Sequence, residues 1–351
     1  MPPELDVHDL VAAHGAEQVV FGVDEATGLR AIVALHSTVL GPGLGGTRFY
    51  PFRSEREALV DVLRLARGMT YKHAVAGNDL GGGKAVIIGD PRVDRSERLI
   101  LAYGRFVDSL AGRYLTAEDV GTTQADMDLI RTVTPHVTGV SESLGGSGDP
   151  SPATAWGVFR AMHAVASNLW GDPSLEHRHV VVSGVGKVGL ALAEYLHEAG
   201  ALVTVSDVNA AAVAAAVERV GAAAIDAARA HMTECDVFAP CALGAVLNER
   251  TIPELRCRAV CGCANNQLDT ADDGERLAAA GILYAPDFVV NGGGVINIAE
   301  EPKGYDHDRA WARIAEIEGT LSRVFEIAVT QGLTPAEAAD HLAEARIAAA
   351  R

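Results

Sequence analysis

Positive charge is scarce in this 351-residue chain: 29 lysines and arginines stand against 46 aspartates and glutamates, a formal charge of −17. Such a chain lacks the basic footprint that a polyanion requires, so no nucleic-acid partner is expected. Long apolar runs are missing too. Nothing approaches the roughly 18 uncharged residues of a membrane span, and Met1 through Asp9 is acidic where an export signal is basic and then apolar. The expectation is a cytoplasmic protein with no membrane partner. Five cysteines, an odd number, supply no disulfide framework, and Cys261 with Cys263 is C-x-C, not the C-x-x-C of zinc or redox sites. They read as reduced, buried thiols. The 12 histidines are scattered without an H-E-x-x-H, so no metal is expected. What is plentiful is core material: 48% hydrophobic against 21% charged residues, with 37 glycines. The length suits about two domains.

Two apolar runs, Val19–Val23 and Leu29–Leu35, flank the turn-rich 24–28 and predict a hairpin. A glycine-packed loop follows. Ser54 with Glu57 predicts a capping box for a long helix whose apolar face carries Leu59, Val62, Leu63, Ala66 and Met69. After Gly81–Gly83, the run Lys84–Ile88 suits a buried strand. A helix over about 95–110, a strand at 114–116 and a helix from Thr123 complete the first half. The Ser, Gly, Asp and Pro-rich stretch 141–152 is the compositional break. Beyond it, strands at 179–183, 202–206, 236–239, 259–263 and 282–285 alternate with alanine-rich helices at 187–199 and 210–220, the rhythm of βαβ units on a parallel sheet. From Arg309 the pattern is helical.

His179 to Gly189 reads HVVVSGVGKVG, an apolar strand entering Gly184, Gly186 and Gly189 at G-x-G-x-x-G spacing. The first glycine permits the turn, the second admits a pyrophosphate, and the third lets the helix sit close on the strand. Phosphates then meet the positive end of that helix through Gly184, Val185, Gly186, Lys187, Val188 and Gly189. Asp207, eighteen residues on at the end of the next strand, suits a ribose 2′-hydroxyl and repels a 2′-phosphate, which favours NAD.

Lys72 in RGMTYKHAVAG and Lys84 in DLGGGKAVIIGD stand beside glycine clusters. A lysine heading an apolar strand is partly desolvated, and a second ammonium nearby disfavours its charged form, so Lys84 could accept a proton. Asp119 in TAEDVGTTQADMD closes a strand, with Glu118 as its competitor. On the residues alone, helix-end and surface-turn readings of all three stay open.

The segments LGPGLGGTRFYPF (40–52), ARGMTYKHAVAG (66–77), LGGGKAVIIGDPR (80–92), TAEDVGTTQADMD (116–128), GVGKVG (184–189), ANNQL (264–268) and LYAPDFVVNGGGVIN (283–297) resemble the Glu/Leu/Phe/Val amino acid dehydrogenases, and most closely the valine and leucine enzymes. The resemblance implies NAD-dependent, reversible oxidative deamination of an L-amino acid to its 2-oxo acid and ammonia. It implies an α/β fold of two domains with the active site in the cleft between them. Residues 1–150 would form the substrate-binding and oligomerisation domain, with helices at about 325–351 packing back on it, and 151–324 a Rossmann-type doubly wound NAD domain. A homo-oligomer follows from the same likeness. By the same resemblance Lys72 binds the substrate carboxylate with the backbone at Gly45 and Gly46, and Lys84 is the general base. Asp119 moves protons at the amino nitrogen, while Thr154, Asn266 and Asn291 lie near the nicotinamide.

The matched pocket residues are Leu44, Met69, Ala117, Thr138, Val295 and Ile298, none charged. A γ-carboxylate would find no cationic partner there, and bulky Leu44 and Val295 favour valine, leucine or isoleucine over phenylalanine. A phenylalanine dehydrogenase and a non-catalytic NAD-binding regulator are the competing readings. Three residues depart from the family pattern: His73 where asparagine is frequent, Asn78 where an apolar residue is common, and Gly292 for a usual alanine.

Overall fold

The computed structural model describes residues 6–351. It begins with α1 (Val7–Ala13), capped by Asp6, whose carboxylate accepts the Asp9 amide. The predicted hairpin follows as β1 (Gln18–Asp24) and β2 (Leu29–Ser37), paired antiparallel. The glycine-packed stretch is not a loop but a strand, β3 (Gly43–Tyr50), and the next strand, β4 (Gly81–Ile88), begins three residues before Lys84. With β5 (Tyr114–Glu118) they form one sheet in the order β1-β2-β4-β3-β5, its last three strands mutually parallel. The glycines are strand residues because neighbouring backbone leaves no room for a side chain. A Cβ on Gly82 would stand 2.0 Å from Thr70 Oγ1 and 2.5 Å from the Ala66 carbonyl of the helix above.

That helix, α2 (Glu55–Val75), is capped by Ser54, which accepts the Glu57 amide; the Glu57 carboxylate turns instead to the Arg53 N–H, so the box is half made. Period-two alternation divides β2 between two cores. Ile32 and Ala34 meet Leu59, Val62, Leu63 and Ala66 of α2. Val33 and Leu35 meet Leu99, Tyr103 and Val107 of α3 (Glu97–Asp108), with Met127 and Ile130 of α4 (Gln124–Arg131).

The second unit opens on α5 (Ser151–Trp170). Its strands are β6 (His179–Ser183), β7 (Leu202–Ser206), β8 (Ala223–Ala224), β9 (Val237–Pro240), β10 (Ala259–Val260) and β11 (Leu283–Tyr284). They are parallel throughout, in the order β11-β10-β9-β6-β7-β8. This is the doubly wound dinucleotide-binding order, with its switch point between β6 and β9. Helices α6 (Lys187–Glu198), α7 (Ala210–Val220) and α8 (Asp272–Ala279) link the strands, followed by α9 (Asp287–Val290) and α10 (Gly293–Ala299).

The expected return of the tail to the first domain is largely corrected. Contacts assign residues to Asp149, Ile298–His307 and Ala343–Arg351 to unit 1, and Pro150–Asn297 with Asp308–Leu342 to unit 2. α11 (His307–Ala315) leads to α12 (Ile317–Gln331), whose buried Ile317, Leu321, Val324 and Phe325 form an apolar stripe. Gly157 of α5 makes room for it, since a Cβ there would stand 2.8 Å from Ile317 Cδ1. Only the end of α13 (Pro335–Ala349) joins unit 1, where Arg346 donates to the His73 and Ala74 carbonyls and pairs with Asp79 at 3.1 Å. Among the described residues, no helix is long and apolar enough to cross a membrane, and no cluster of three or more His, Cys, Asp or Glu could hold a metal.

Candidate active site

In unit 1, residues from three adjacent strands meet at one carboxylate. Lys84 of β4, almost fully buried, places Nζ 3.1 Å from Asp119 Oδ2, and Arg48 of β3 places Nε 3.2 Å from the same oxygen. The charge in direct contact with Lys84 is thus an acid. Burial alone would raise the Asp119 carboxyl, but the charges of Lys84 and then Arg48 outweigh it and hold the group below its ordinary range. Arg48 is itself fixed by Asp61 of α2, 2.8 Å away. Thr122 Oγ1 accepts the Asp119 amide at 2.9 Å and lies 2.9 Å from the Thr47 carbonyl, which fastens the turn after β5. The cap of α4 is Thr123, so Asp119 is not a helix cap, and Glu118 is exposed. Arg48, Asp61 and Thr122 were absent from the expected set. The available signal was an arginine directly after the Gly-Gly-Thr run of β3.

Beside this group the β3–β4 ladder is interrupted: Gly43 and Leu44 pair with Gly81 and Gly82, and pairing resumes at Thr47 with Ala85. Gly45 and Gly46 lie in the gap, where a Cβ on Gly46 would be 2.8 Å from Asp119 Cβ and one on Gly45 3.2 Å from Met69 Cγ. Lys72, half-buried in the last turn of α2, follows Met69 by three residues and shares its helix face. Of the expected pocket residues, Leu44, Met69 and Ile298 come together, joined by Leu80, Leu115 and Ala299, which the sequence reading omitted. Ala117 and Thr138 are buried, with the Thr138 amide bonded to the Thr116 carbonyl at 2.8 Å. Val295 precedes Ile298 by three residues on α10.

Two departures from the family pattern prove to be one arrangement. Asn78 Nδ2 lies 3.1 Å from His73 Nδ1, and His73 Nε2 lies 3.2 Å from the Leu44 carbonyl. Burial above all pushes His73 down to about 4, so the ring is neutral, accepting from Asn78 and donating to Leu44. A third network ties two segments of unit 1: the Glu301 carboxylate accepts the Gly139 amide at 2.9 Å, the Ser147 amide at 2.9 Å and the Ser147 hydroxyl at 2.5 Å.

In unit 2 the glycine motif sits at the sheet's switch point. Gly184 adopts φ +104°, and a Cβ on Gly189 would stand 1.9 Å from the Gly184 carbonyl oxygen, whereas one on Gly186 would meet nothing within 4 Å. α6 has Gly186 as its cap and no side-chain cap bond, so its first amides are suited to an anion. Val185 and Val188 pack beside the glycines and Lys187 is exposed. Asp207 accepts the Val185 amide at 2.9 Å and the Asn209 amide at 2.8 Å, which fixes its carboxylate just past β7. Asn291 Nδ2 is held by the Cys263 carbonyl at 3.1 Å and Asn265 Oδ1 at 2.9 Å, leaving its buried Oδ1 without a partner. Thr154 is not a cap: it lies within the first turn of α5, donates to the Pro150 carbonyl at 2.9 Å, and would be 2.7 Å from a Cβ on Gly294. Asn266 is exposed with φ +51°, a left-handed conformation that asparagine tolerates better than most residues.

Comparison with known proteins gives the family. The family model "Glu/Leu/Phe/Val dehydrogenase, dimerisation domain" matches residues 16–136, and "Glutamate/Leucine/Phenylalanine/Valine dehydrogenase" matches 145–221 and 209–351. The chain belongs to the Glu/Leu/Phe/Val dehydrogenase family. Within it, the chain is 51% identical to a leucine dehydrogenase of Geobacillus stearothermophilus over 98% of this chain and 94% of that one. It is 54% identical to a valine dehydrogenase of Streptomyces coelicolor over 96% and 93%. Among solved structures, L-tryptophan dehydrogenase from Nostoc punctiforme superposes with a TM-score of 0.88 at 41% identity, covering 98% of this chain and 99% of the other.

Proposed function

We propose that this family member oxidises a branched-chain aliphatic L-amino acid to its 2-oxo acid and ammonia, reversibly, with NAD. The observation that carries the reading is the Lys84–Asp119 pair, set 3.1 Å apart beside the broken β3–β4 ladder. The residues present fit NAD. The open side of Gly186 admits a pyrophosphate, Asp207 favours a free 2′-hydroxyl, and the oriented, unpartnered Asn291 Oδ1 suits a carboxamide N–H, with Thr154 and Asn266 nearby in the fold. When bound, NAD supplies the hydride acceptor.

The chain's own groups do the rest. Lys72 pairs with the substrate carboxylate, assisted by backbone at Gly45 and Gly46, and so holds Cα in place. Asp119 takes and returns protons at the substrate nitrogen. Lys84 Nζ, in its neutral form, draws the proton from the water that adds to the iminium carbon. Leu44, Met69, Leu80, Leu115, Ile298 and Ala299 offer an aliphatic surface with no cation for a γ-carboxylate. A methylene in such a pocket is worth about 1–3 kcal/mol, so valine, leucine and isoleucine overlap as substrates.

The purified protein, given NAD and a panel of valine, leucine, isoleucine, phenylalanine, tryptophan and glutamate, is expected to produce NADH fastest with an aliphatic one. Lys84→Ala should lower kcat by about 10²–10⁴-fold. Glutamate or an aromatic substrate winning would end the pocket argument, and an active Lys84→Ala would end the assignment of the base. A homo-oligomer formed through unit 1 belongs to the same proposal, supported by the half-exposed Phe21 and largely exposed Val23 on edge strand β1. Light scattering should then give a multiple of the chain mass.

A further inference from the structure

All five cysteines flank two neighbouring strands of unit 2. Cys235 and Cys241 bracket β9, while Cys257, Cys261 and Cys263 bracket β10. The strands run parallel with Val237 opposite Ala259 and Phe238 opposite Val260. Past the strands the register slips by one residue, the Ala264 amide bonding the Pro240 carbonyl at 2.9 Å, and the segments carrying Cys241 and Cys263 stay adjacent. Adjacent strands lie about 4.8 Å apart, inside the roughly 4.4–6.8 Å Cα separation that a disulfide needs. The Cys263 thiol donates to the Cys241 carbonyl oxygen at 3.8 Å. Both residues are partly exposed, whereas Cys261 is buried; the expectation of five buried thiols is corrected to one.

Each member of the pair touches a different part of the nucleotide loops. The Cys241 amide bonds the Ser183 carbonyl at 2.7 Å, at the end of β6. A Cβ on Gly184 would stand 2.8 Å from the Cys241 carbonyl carbon, and one on Gly189 3.4 Å from Cys241 Cβ. Cys263 holds Asn291 Nδ2 through its carbonyl at 3.1 Å. We propose that Cys241 and Cys263 form a reversible dithiol–disulfide pair, oxidised by peroxide, that weakens cofactor binding when closed. The loss of affinity rests on the NAD reading above; the bond itself does not.

In the first step the Cys241 thiolate attacks peroxide, the O–O bond breaks, and a sulfenic acid and hydroxide form. Cys263 sulfur then displaces the sulfenic oxygen as water. Two thiols lose two electrons and two protons, and one hydrogen peroxide becomes two waters; a reducing dithiol reverses the change. The hydrogen bond from Cys263 lowers Cys241 and so favours its thiolate. The interaction with Cys241 and then burial push Cys263 up, as burial pushes Cys235 up to about 12 and Cys257 to about 11, so Cys241 is the thiol that meets peroxide first. Closing the bond draws the ends of β9 and β10 together beneath glycines that have no slack.

The test uses the full chain, treated with hydrogen peroxide and then dithiothreitol. Expected are an intact mass lower by two hydrogens, a peptide map joining 241 to 263, and titratable thiols falling from five to three, all reversed by the dithiol. NADH affinity, read by fluorescence titration, should fall roughly tenfold, equivalent to about 1.4 kcal/mol. Cys263→Ser, compared with its own untreated form, should show no peroxide-dependent loss of NADH affinity. A crosslink elsewhere, oxygenated cysteine without a crosslink, or a crosslinked protein of unchanged affinity would overturn the proposal. Reduced protein that binds no NADH would overturn the cofactor reading instead, and the mass measurement would still decide the disulfide.

Discussion

Asp119 Oδ2 lies 3.1 Å from Lys84 Nζ and 3.2 Å from Arg48 Nε, so two cations act on one oxygen. A carboxylate held this way is oriented as well as stabilised in its charged form. Arg48→Gln removes one cation, so the Asp119 carboxyl should rise and the acidic limb of the kcat–pH profile should move to higher pH. We expect kcat to fall about tenfold with a smaller change in the KM for the amino acid, and Arg48→Lys to recover part of the loss. An unmoved acidic limb would mean that Arg48 serves the fold and not the carboxylate. The three candidate catalytic residues were legible in the sequence because each stands in a distinctive motif. Arg48 was not singled out, because a strand arginine acquires meaning only when its neighbour is known.

At the scale of elements, glycine misled in one half of the chain and informed in the other. In 184–189 the glycines sit between a strand and a helix at a spacing with one structural meaning. In 43–46 and 81–83 they lie inside strands, where weak strand preference reads as loop. Close approach of α2 to β4 is what requires them. Gly82→Ala would force a methyl to within 2.0 Å of Thr70 Oγ1 and 2.2 Å of its backbone nitrogen. It should therefore lose about 3 kcal/mol or more of stability in urea unfolding. Gly68→Ala is the contrast: it lies in α2 with nothing within 4 Å of the added atom, and should gain up to about 1 kcal/mol. Equal effects at the two sites would refute the packing account.

For the molecule as a whole, acid sensitivity follows from burial of histidine. His73 is held at about 4 by burial, reinforced by the charges of Lys72 and Arg346, while an unfolded histidine titrates near 6.5. The unfolded chain therefore binds more protons between those values, so this contribution is intact above about pH 6.5 and is lost as pH falls toward 4. The loss approaches 1.4 kcal/mol per pH unit. His36, lowered to about 4 by burial and then Arg67, acts in the same direction with less force because it is partly exposed. Urea midpoints measured from pH 7 to 4 should fall accordingly, and His73→Gln should flatten the slope; a slope unchanged by that substitution would place the sensitivity elsewhere.

The amino-acid sequence by itself determined the βαβ rhythm, the nucleotide turn and the motifs that carry the chemistry, because these depend on periodicity and on residues a few positions apart. Tertiary structure decided what lies across strands. It brought 48, 84 and 119 to one oxygen through the order β4-β3-β5, and made His73 and Asn78 a single buried pair. It set Cys241 beside Cys263 and divided the helical tail between two units. Strand order and helix docking are settled by which faces bury each other, and no local pattern encodes that choice.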